Sequence, residues 1–298
     1  MVKKNIKLQK TLPMKKLLLC IFMLPLLTLA QKTDKKLQLQ LQTLIQGYKG
    51  DIGIYIKNLK TNKVVQINAD TIYPTASVVK VPILIGIIDK INTKQLTYHQ
   101  SLTYADSMLY EGEDILGSFK NNEKIELSKV LMLMLTTSDN TASLWLQKLA
   151  GTGTRINEIL QQYGLVHTRV NSKTPGRETN RNQYGWGQTT PKEMGTLFEN
   201  IYLGKIVNDS ASQKMLRLLG RNYWDEEALS QIPSHIFVAS KSGAVNASRS
   251  EVLLVMAKQP YLLSIFTKNN KDTSWDTTNE AWELTRKISK VVYERYSK

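Results

Sequence analysis

With 298 residues, 42% hydrophobic and 22% charged, the chain can bury a sizeable core in one large domain or in two lobes sharing an interface. Its formal charge is +15, but the lysines are scattered through "KTDKK", "KNLKTNK" and "KNNK" without interleaved aromatics, which describes a solvated basic surface and argues against a nucleic-acid groove. Its only cysteine, Cys20, excludes a disulfide framework and a thiolate metal site.

Residues 1–30 combine a basic start, "MVKKNIKLQKTLPMKK", an apolar run, "LLLCIFMLPLL", and Thr28-Leu29-Ala30 before Gln31. That is the pattern of a cleaved secretory signal, with Met14 as good a start as Met1. The apolar run is shorter than the roughly 20 residues that span a bilayer, so no membrane span is expected after cleavage. Bulky Leu19 before Cys20 argues against a lipoprotein anchor. The expected mature chain is therefore a secreted domain over 31–298, periplasmic in a Gram-negative host, and it has lost Cys20 and six lysines of the leader.

From Asp34 to Tyr48 the apolar residues Leu37, Leu41, Leu44, Ile45 and Tyr48 recur at helical spacing, which predicts an amphipathic helix before Gly50. "IGIYIKN" and "VVQIN" are β-rich runs joined by the turn-forming "LKTNK", a hairpin. The middle of the chain is helical in pattern, with "LSKVLMLMLTT" and "TASLWLQKLAG" as buried helices and Thr190-Pro191-Lys192-Glu193 as a helix start. Beyond it, "HIFVASKSGAV", "SEVLLVMAK" and "YLLSIFTKN" are three strand-like runs. A helix over Thr277 to Tyr293 follows, capped by Thr277 with Glu280. The two ends together predict an α+β protein, one antiparallel sheet covered by terminal helices. The sheet lobe takes about 31–75 and 220–298, and a helical lobe takes about 76–219.

The chemistry starts at "YPTASVVKVPIL". Ser77 falls at or just inside a helix N-terminus, with Pro82 tolerable only near that first turn. Ser77 and Lys80 are i and i+3, so hydroxyl and amine share one helix face. A serine hydroxyl needs a base, and a lysine serves only when its pKa falls from about 10.4, as burial among valines or a second nearby cation would cause. An exposed helical stripe with Lys80 reaching water is the plain alternative. Two further elements count against it: Ser138-Asp139-Asn140 at a break between apolar helices, where capping is the ordinary role, and Lys241-Ser242-Gly243 in a strand, where glycine permits a close approach.

Serine with lysine three residues on, then Ser-Asp-Asn, then Lys-Ser-Gly, in this order, resemble the motif set of class A β-lactamases and penicillin-binding proteins, class A most closely, over the whole mature length. That resemblance implies an antiparallel five-stranded sheet beside an all-helical domain, with the active site in the cleft. It also implies that Ser77 is the acylated nucleophile and Lys80 its base or relay. Ser138 would protonate the opening ring nitrogen, Asn140 would line the pocket, and Lys241, Ser242 and Gly243 would bind the substrate carboxylate. The backbone N–H groups of Ser77 and Ala244 would form the oxyanion hole. Arg249 stands near the place of a carboxylate-binding arginine, or is an exposed strand arginine without a role.

Class A enzymes activate the hydrolytic water with a glutamate in a pattern near R-x-E-x-x-x-N. Here "GRETNRNQYGWGQTTP" offers Glu178 and Asn182, but Arg177 is directly adjacent to the glutamate and the segment to Pro191 is short. Glu178 is thus the deacylation base or a surface loop carboxylate, with Tyr184 and Trp186 packing the loop. His99, His167 and His235 have no helical partner at i+4, so no metal or other cofactor is expected. The readings are a monomeric secreted serine β-lactamase, a D-Ala-D-Ala peptidase or esterase-like hydrolase that deacylates slowly, or a silent cell-wall or ligand-binding domain. The substrate would be a β-lactam or a cell-wall peptide.

Overall fold

The computed structural model describes residues 32–110 and 114–298. The leader expected over residues 1–30, Cys20 included, lies outside the described residues.

The first helix, α1 (Lys35–Leu44), starts at Asp34, whose carboxylate accepts the Leu37 N–H. It ends short of Tyr48 because the chain turns through Gly47 in the left-handed region, φ +84°. The hairpin forms as β1 (Asp51–Asn58) and β2 (Val64–Ile67), and its turn is held by Asn58 Oδ1, which accepts the N–H groups of Lys60 and Thr61. After β3 (Tyr73–Pro74), a 3-10 turn over Ala76–Val79 leads into α2 (Lys80–Asn92), with Pro82 in its first turn. The missing proline N–H removes no interior helical bond there.

The middle segment carries β4 (Ser101–Thr103) and β5 (Lys124–Glu126), then α3 (Leu127–Met132), which widens into a π-helical turn over Leu133–Thr137. Next come α4 (Asn140–Leu149), α5 (Thr152–Gln162), β6 (Arg169–Val170), α6 (Glu178–Tyr184), β7 (Gly187–Thr189), α7 (Pro191–Tyr202) and α8 (Asp209–Leu219). Thr190 caps α7 as expected, its hydroxyl accepting the Glu193 N–H at 3.1 Å, with Pro191 first in the helix. The short ribbons β4–β5 and β3–β7–β6 have two or three residues per strand, too few for a periodic signal.

The chain closes with β8 (Val238–Val245), β9 (Ser248–Val255), β10 (Tyr261–Lys268) and α9 (Glu280–Tyr296). The start of α9 corrects the expected cap. Asn279, not Thr277, accepts the N–H groups of Ala281 and Trp282, while the Glu280 N–H goes to Asp272 at 2.8 Å. The turn bond from Asn279 N–H to Asp276 O keeps Thr277 outside the helix.

The main sheet runs β2-β1-β10-β9-β8 with every neighbouring pair antiparallel. Because β1 lies beside β10, the two chain ends meet in its centre. Side chains alternate across it: Leu262 and Phe266 join the core on the side of α2 and α7, whereas Tyr261, Leu263 and Ile265 join the core under α1 and α9. All eight residues of β9 are buried, as a strand covered on both faces requires. At the sheet edge, β8 lies against the Ala76–Val79 turn that carries Ser77.

If Asn279 is the cap, Asn279→Ala lowers unfolding stability by about 1 kcal/mol in a urea titration. Thr277→Ala then stays within about 0.5 kcal/mol of the parent.

Candidate active site

Three segments of the chain converge on one hydroxyl, that of Ser138. Lys80 Nζ donates to Ser77 Oγ at 3.0 Å, to Ser138 Oγ at 3.0 Å, to Asn140 Oδ1 at 2.9 Å and to the Ser138 carbonyl. Lys241 Nζ donates to the same Ser138 hydroxyl at 3.1 Å and to Ser242 O at 3.0 Å. Both lysines are 0% exposed, which rules out the solvent-stripe alternative for Lys80.

Neither ammonium meets a carboxylate in these bonds, so burial dominates their protonation. Desolvation, reinforced by the nearby Lys241 charge, holds the Lys80 amine well below its ordinary value against the opposing pull of Asp114 and Asp139. Desolvation brings Lys241 down to about 7, with Glu251 working in the other direction. Glu251 is itself pushed up to about 7 by burial, although the Ala228 N–H, at 2.8 Å, and the Leu229 N–H hydrogen-bond to it.

The local chain is bent to make this possible. Ala76 and Ser138 both take left-handed backbone angles, φ +45° and +64°. A non-glycine residue there costs about 1–2 kcal/mol, so its surroundings must hold it. At Ser138 two carboxylates do so. Asp139 accepts the N–H groups of Ala142 at 2.7 Å and Leu116 at 3.0 Å, capping α4 and tying it to the 114–116 segment. Asp114 accepts the N–H groups of Asn140 at 2.9 Å and Thr141 at 2.7 Å, and the Thr141 hydroxyl.

Gly243 explains how β8 comes so close. A Cβ there would meet Thr75 O at 2.6 Å, Ser77 N at 2.8 Å and Val78 N at 3.0 Å, all backbone atoms unable to swing aside.

Ser77 lies where two cavities meet. The larger, about 570 Å³, includes Asn140, Asn182, Tyr110, Trp186, Ala244 and Lys268 in its lining. The smaller, about 400 Å³, is lined by Ser138, Ser242, Gly243, Ala244, Arg249 and three tryptophans among others. Ser77, Lys80, Ser138, Asn140, Lys241, Ser242, Gly243, Ala244 and Asn182 are thus brought to one place.

Glu178 is not among them. It is the exposed first residue of α6, accepts the Gly176 N–H at 3.1 Å and lines a separate depression with Lys173, Thr174 and Pro175. Arg249 is not an exposed strand residue: it is 1% exposed, 4.6 Å from the ring centroids of Trp275 and Trp282, and donates to the carbonyls of Val245, Asn246, Ser248 and Ser274. Burial lowers its pKa. Tyr184 and Trp186, expected to pack the loop, line the larger cavity, where Trp186 meets Tyr110 edge-on at 5.0 Å.

Asp114, Glu251 and the tryptophans escaped the sequence reading. A glutamate inside the apolar "SEVLLV" was a visible signal for Glu251. Asp114 acts 26 residues away and gave none. No group of His, Cys, Asp and Glu among the described residues is arranged to hold a metal.

This geometry can be set beside known proteins. The sequence profile of a β-lactamase enzyme family matches residues 36–296. The chain belongs to that family. β-Lactamase VEB-1 of Pseudomonas aeruginosa is 23% identical over 280 residues, covering 89% of this chain and 91% of that one. β-Lactamase AER-1 of Aeromonas hydrophila is 25% identical over 236 residues, 77% of each chain. Among solved structures, PBP-A superposes with a TM-score of 0.79 at 24% identity, over 89% of this chain and 97% of its own. The TLA-1 extended-spectrum β-lactamase superposes with 0.79 at 16% identity, over 90% and 100%. The class A fold, a five-stranded antiparallel sheet with helices, is therefore that of this β-lactamase-family protein, and its enzyme class is a class A-like hydrolase.

The close approach at Gly243 predicts that Gly243→Ala costs about 1–3 kcal/mol, the range for forced overpacking. A urea midpoint equal to that of the parent would show that β8 can retreat from the Ser77 turn without loss.

Proposed function

We propose that this protein is a secreted serine β-lactamase that opens the β-lactam amide through an acyl-Ser77 ester. The carrying observation is that one buried lysine amine without a carboxylate hydrogen-bond partner, Lys80, touches both Ser77 Oγ and Ser138 Oγ at 3.0 Å. Held neutral, Lys80 accepts the Ser77 proton while Oγ attacks the lactam carbonyl carbon. The oxyanion takes hydrogen bonds from the backbone N–H groups of Ser77 and Ala244, on the turn and on the facing strand. When the C–N bond breaks, the proton passes through the Ser138 hydroxyl to the departing nitrogen. Lys241 and Ser242 receive the substrate carboxylate and Asn140 lines the acyl side. The pattern of residues 1–30 supports export. No metal or cofactor enters the scheme.

Release of the ester needs an activated water, and here a specific observation favours the second reading. Glu178 lies in a separate depression, and none of the described residues lining the larger cavity is a carboxylate. That arrangement suits a D-Ala-D-Ala peptidase or esterase-like hydrolase whose acyl-enzyme persists. A mutant of PBP-A, of the same fold, has been solved as an acyl-enzyme complex with penicillin G.

Purified protein mixed with a chromogenic cephalosporin separates the readings. Product over many enzyme equivalents marks the lactamase, and one stoichiometric burst marks the peptidase. Absence of both product and any adduct on Ser77 by intact mass sinks both. The same spectrum tests for a chain starting at Gln31. Glu178→Gln is expected to leave turnover within about twofold, the size of an ordinary surface change.

The acid–base scheme also fixes a pH dependence. A lysine of ordinary pKa is only about 0.04% neutral at pH 7, whereas a lowered one is neutral in a larger fraction there. Second-order acylation measured by stopped flow should therefore reach its plateau at a lower pH than an ordinary lysine base would allow, and decline above about pH 7 as Lys241 loses the charge that receives the substrate carboxylate. A tenfold rise per pH unit from 7 to 9 would remove Lys80 as the base.

A further inference from the structure

The smaller cavity beside Ser77 has walls that acylation itself does not require. Trp224 and Trp275 are 44% and 62% exposed, and both line it with Trp282. Trp224 is held by its indole N–H, which donates to Thr137 O at 2.9 Å, and Trp275 meets Trp282 edge-on with centroids 5.8 Å apart. Broad indole surface left in water at the mouth of a reactive cleft is surface that a flat ligand would cover.

The charges around these rings are graded. Arg249 gives its hydrogen bonds to four backbone carbonyls and is flanked by Trp275 and Trp282, but its buried Nε has no acceptor. Its charge favours a substrate carboxylate at that end of the cavity. Elsewhere in the lining, Glu226 stands exposed next to Glu227. Glu227 is bound by Arg286 at 2.7 Å, and burial and then repulsion from Glu226 raise its pKa. A cation near Glu226 would relieve that repulsion and gain the face of an indole.

We propose that this cavity is a specificity subsite for a planar, cationic heteroaromatic group, of pyridinium type, on the leaving side of a carboxylate-bearing substrate. Its ring covers Trp275 and its charge faces Glu226. The orientation rests on the acyl-Ser77 reading, in which the departing nitrogen faces Ser138 and the leaving half of the molecule enters the cavity that Ser138 and Ser242 line.

The test uses the full chain carrying Ser77→Ala, so that binding is read without turnover. Calorimetric titration compares two cephalosporins that share one acyl side chain and differ only in a pyridinium-methyl or an acetoxymethyl group on the leaving side. The pyridinium compound should bind about tenfold more tightly. Trp275→Leu, and independently the exposed Glu226→Gln, should each reduce that ratio to about threefold or less. Equal dissociation constants in the parent, or a ratio that neither variant changes, overturn the subsite. Intact mass of the Ser77 protein after mixing with either compound reads the acylation separately. A tenfold ratio with neither adduct nor product keeps the subsite and removes the hydrolase reading, whereas an adduct or product with equal binding does the reverse.

Discussion

The Lys80 amine is the point on which this site depends. Its acceptors are four oxygen atoms, from Ser77, Ser138 and Asn140, and none is a carboxylate. A salt bridge would have stabilised the ammonium and kept the proton on nitrogen. Neutral acceptors satisfy the donor without cancelling the desolvation, and Lys241 adds a like charge. The nearby carboxylates of Asp114 and Asp139 hydrogen-bond to backbone N–H groups instead of to the amine. They shape the loop and moderate the field, but the proton is left free to move.

That division explains how the bent backbone survives. A left-handed serine at 138 costs about 1–2 kcal/mol, and a charge-assisted hydrogen bond returns about 1.5–3 kcal/mol. Asp139 and Asp114 between them take four backbone N–H groups around the bend. The loop is therefore held both by its own Asp139 and from the 114–116 segment. On the opposite wall, Gly243 lets a strand approach the Ser77 turn at backbone distance, so both walls of the cleft are set by the main chain.

How much of this could be read from residues alone follows from range. The hairpin, the terminal helices and the three C-terminal strands rest on local periodicity and are all present, with the ends of both helices displaced. The two-residue ribbons do not, because a period needs more residues than they have. Ser77 and Lys80 are joined by helical spacing, and the other two motifs carry their own turn and strand chemistry. Asn279 replaced Thr277 as the cap because distant partners decided it: Asp272 reaches the Glu280 N–H. Arg249 was undetermined for the same reason. A strand pattern cannot show that two tryptophans from the 275–282 segment will enclose its guanidinium.

The loop carrying Glu178 shows how the neighbours of a residue decide where it points. Arg177 is held by amides, donating to Asn171 Oδ1 at 2.9 and 3.0 Å and to Gln188 Oε1 at 2.8 Å. Asn180 also donates to Gln188 Oε1, at 3.0 Å, so the start of α6 is fastened to β7 through neutral side chains. With the arginine facing inward and the glutamate directly beside it in sequence, Glu178 faces away, toward the Gly176 N–H. One intervening residue would change which side of the segment the carboxylate occupies. The side chains around Ser77 are thus fixed by long-range packing around one amine, while the place of Glu178 is set locally, at the start of a seven-residue helix.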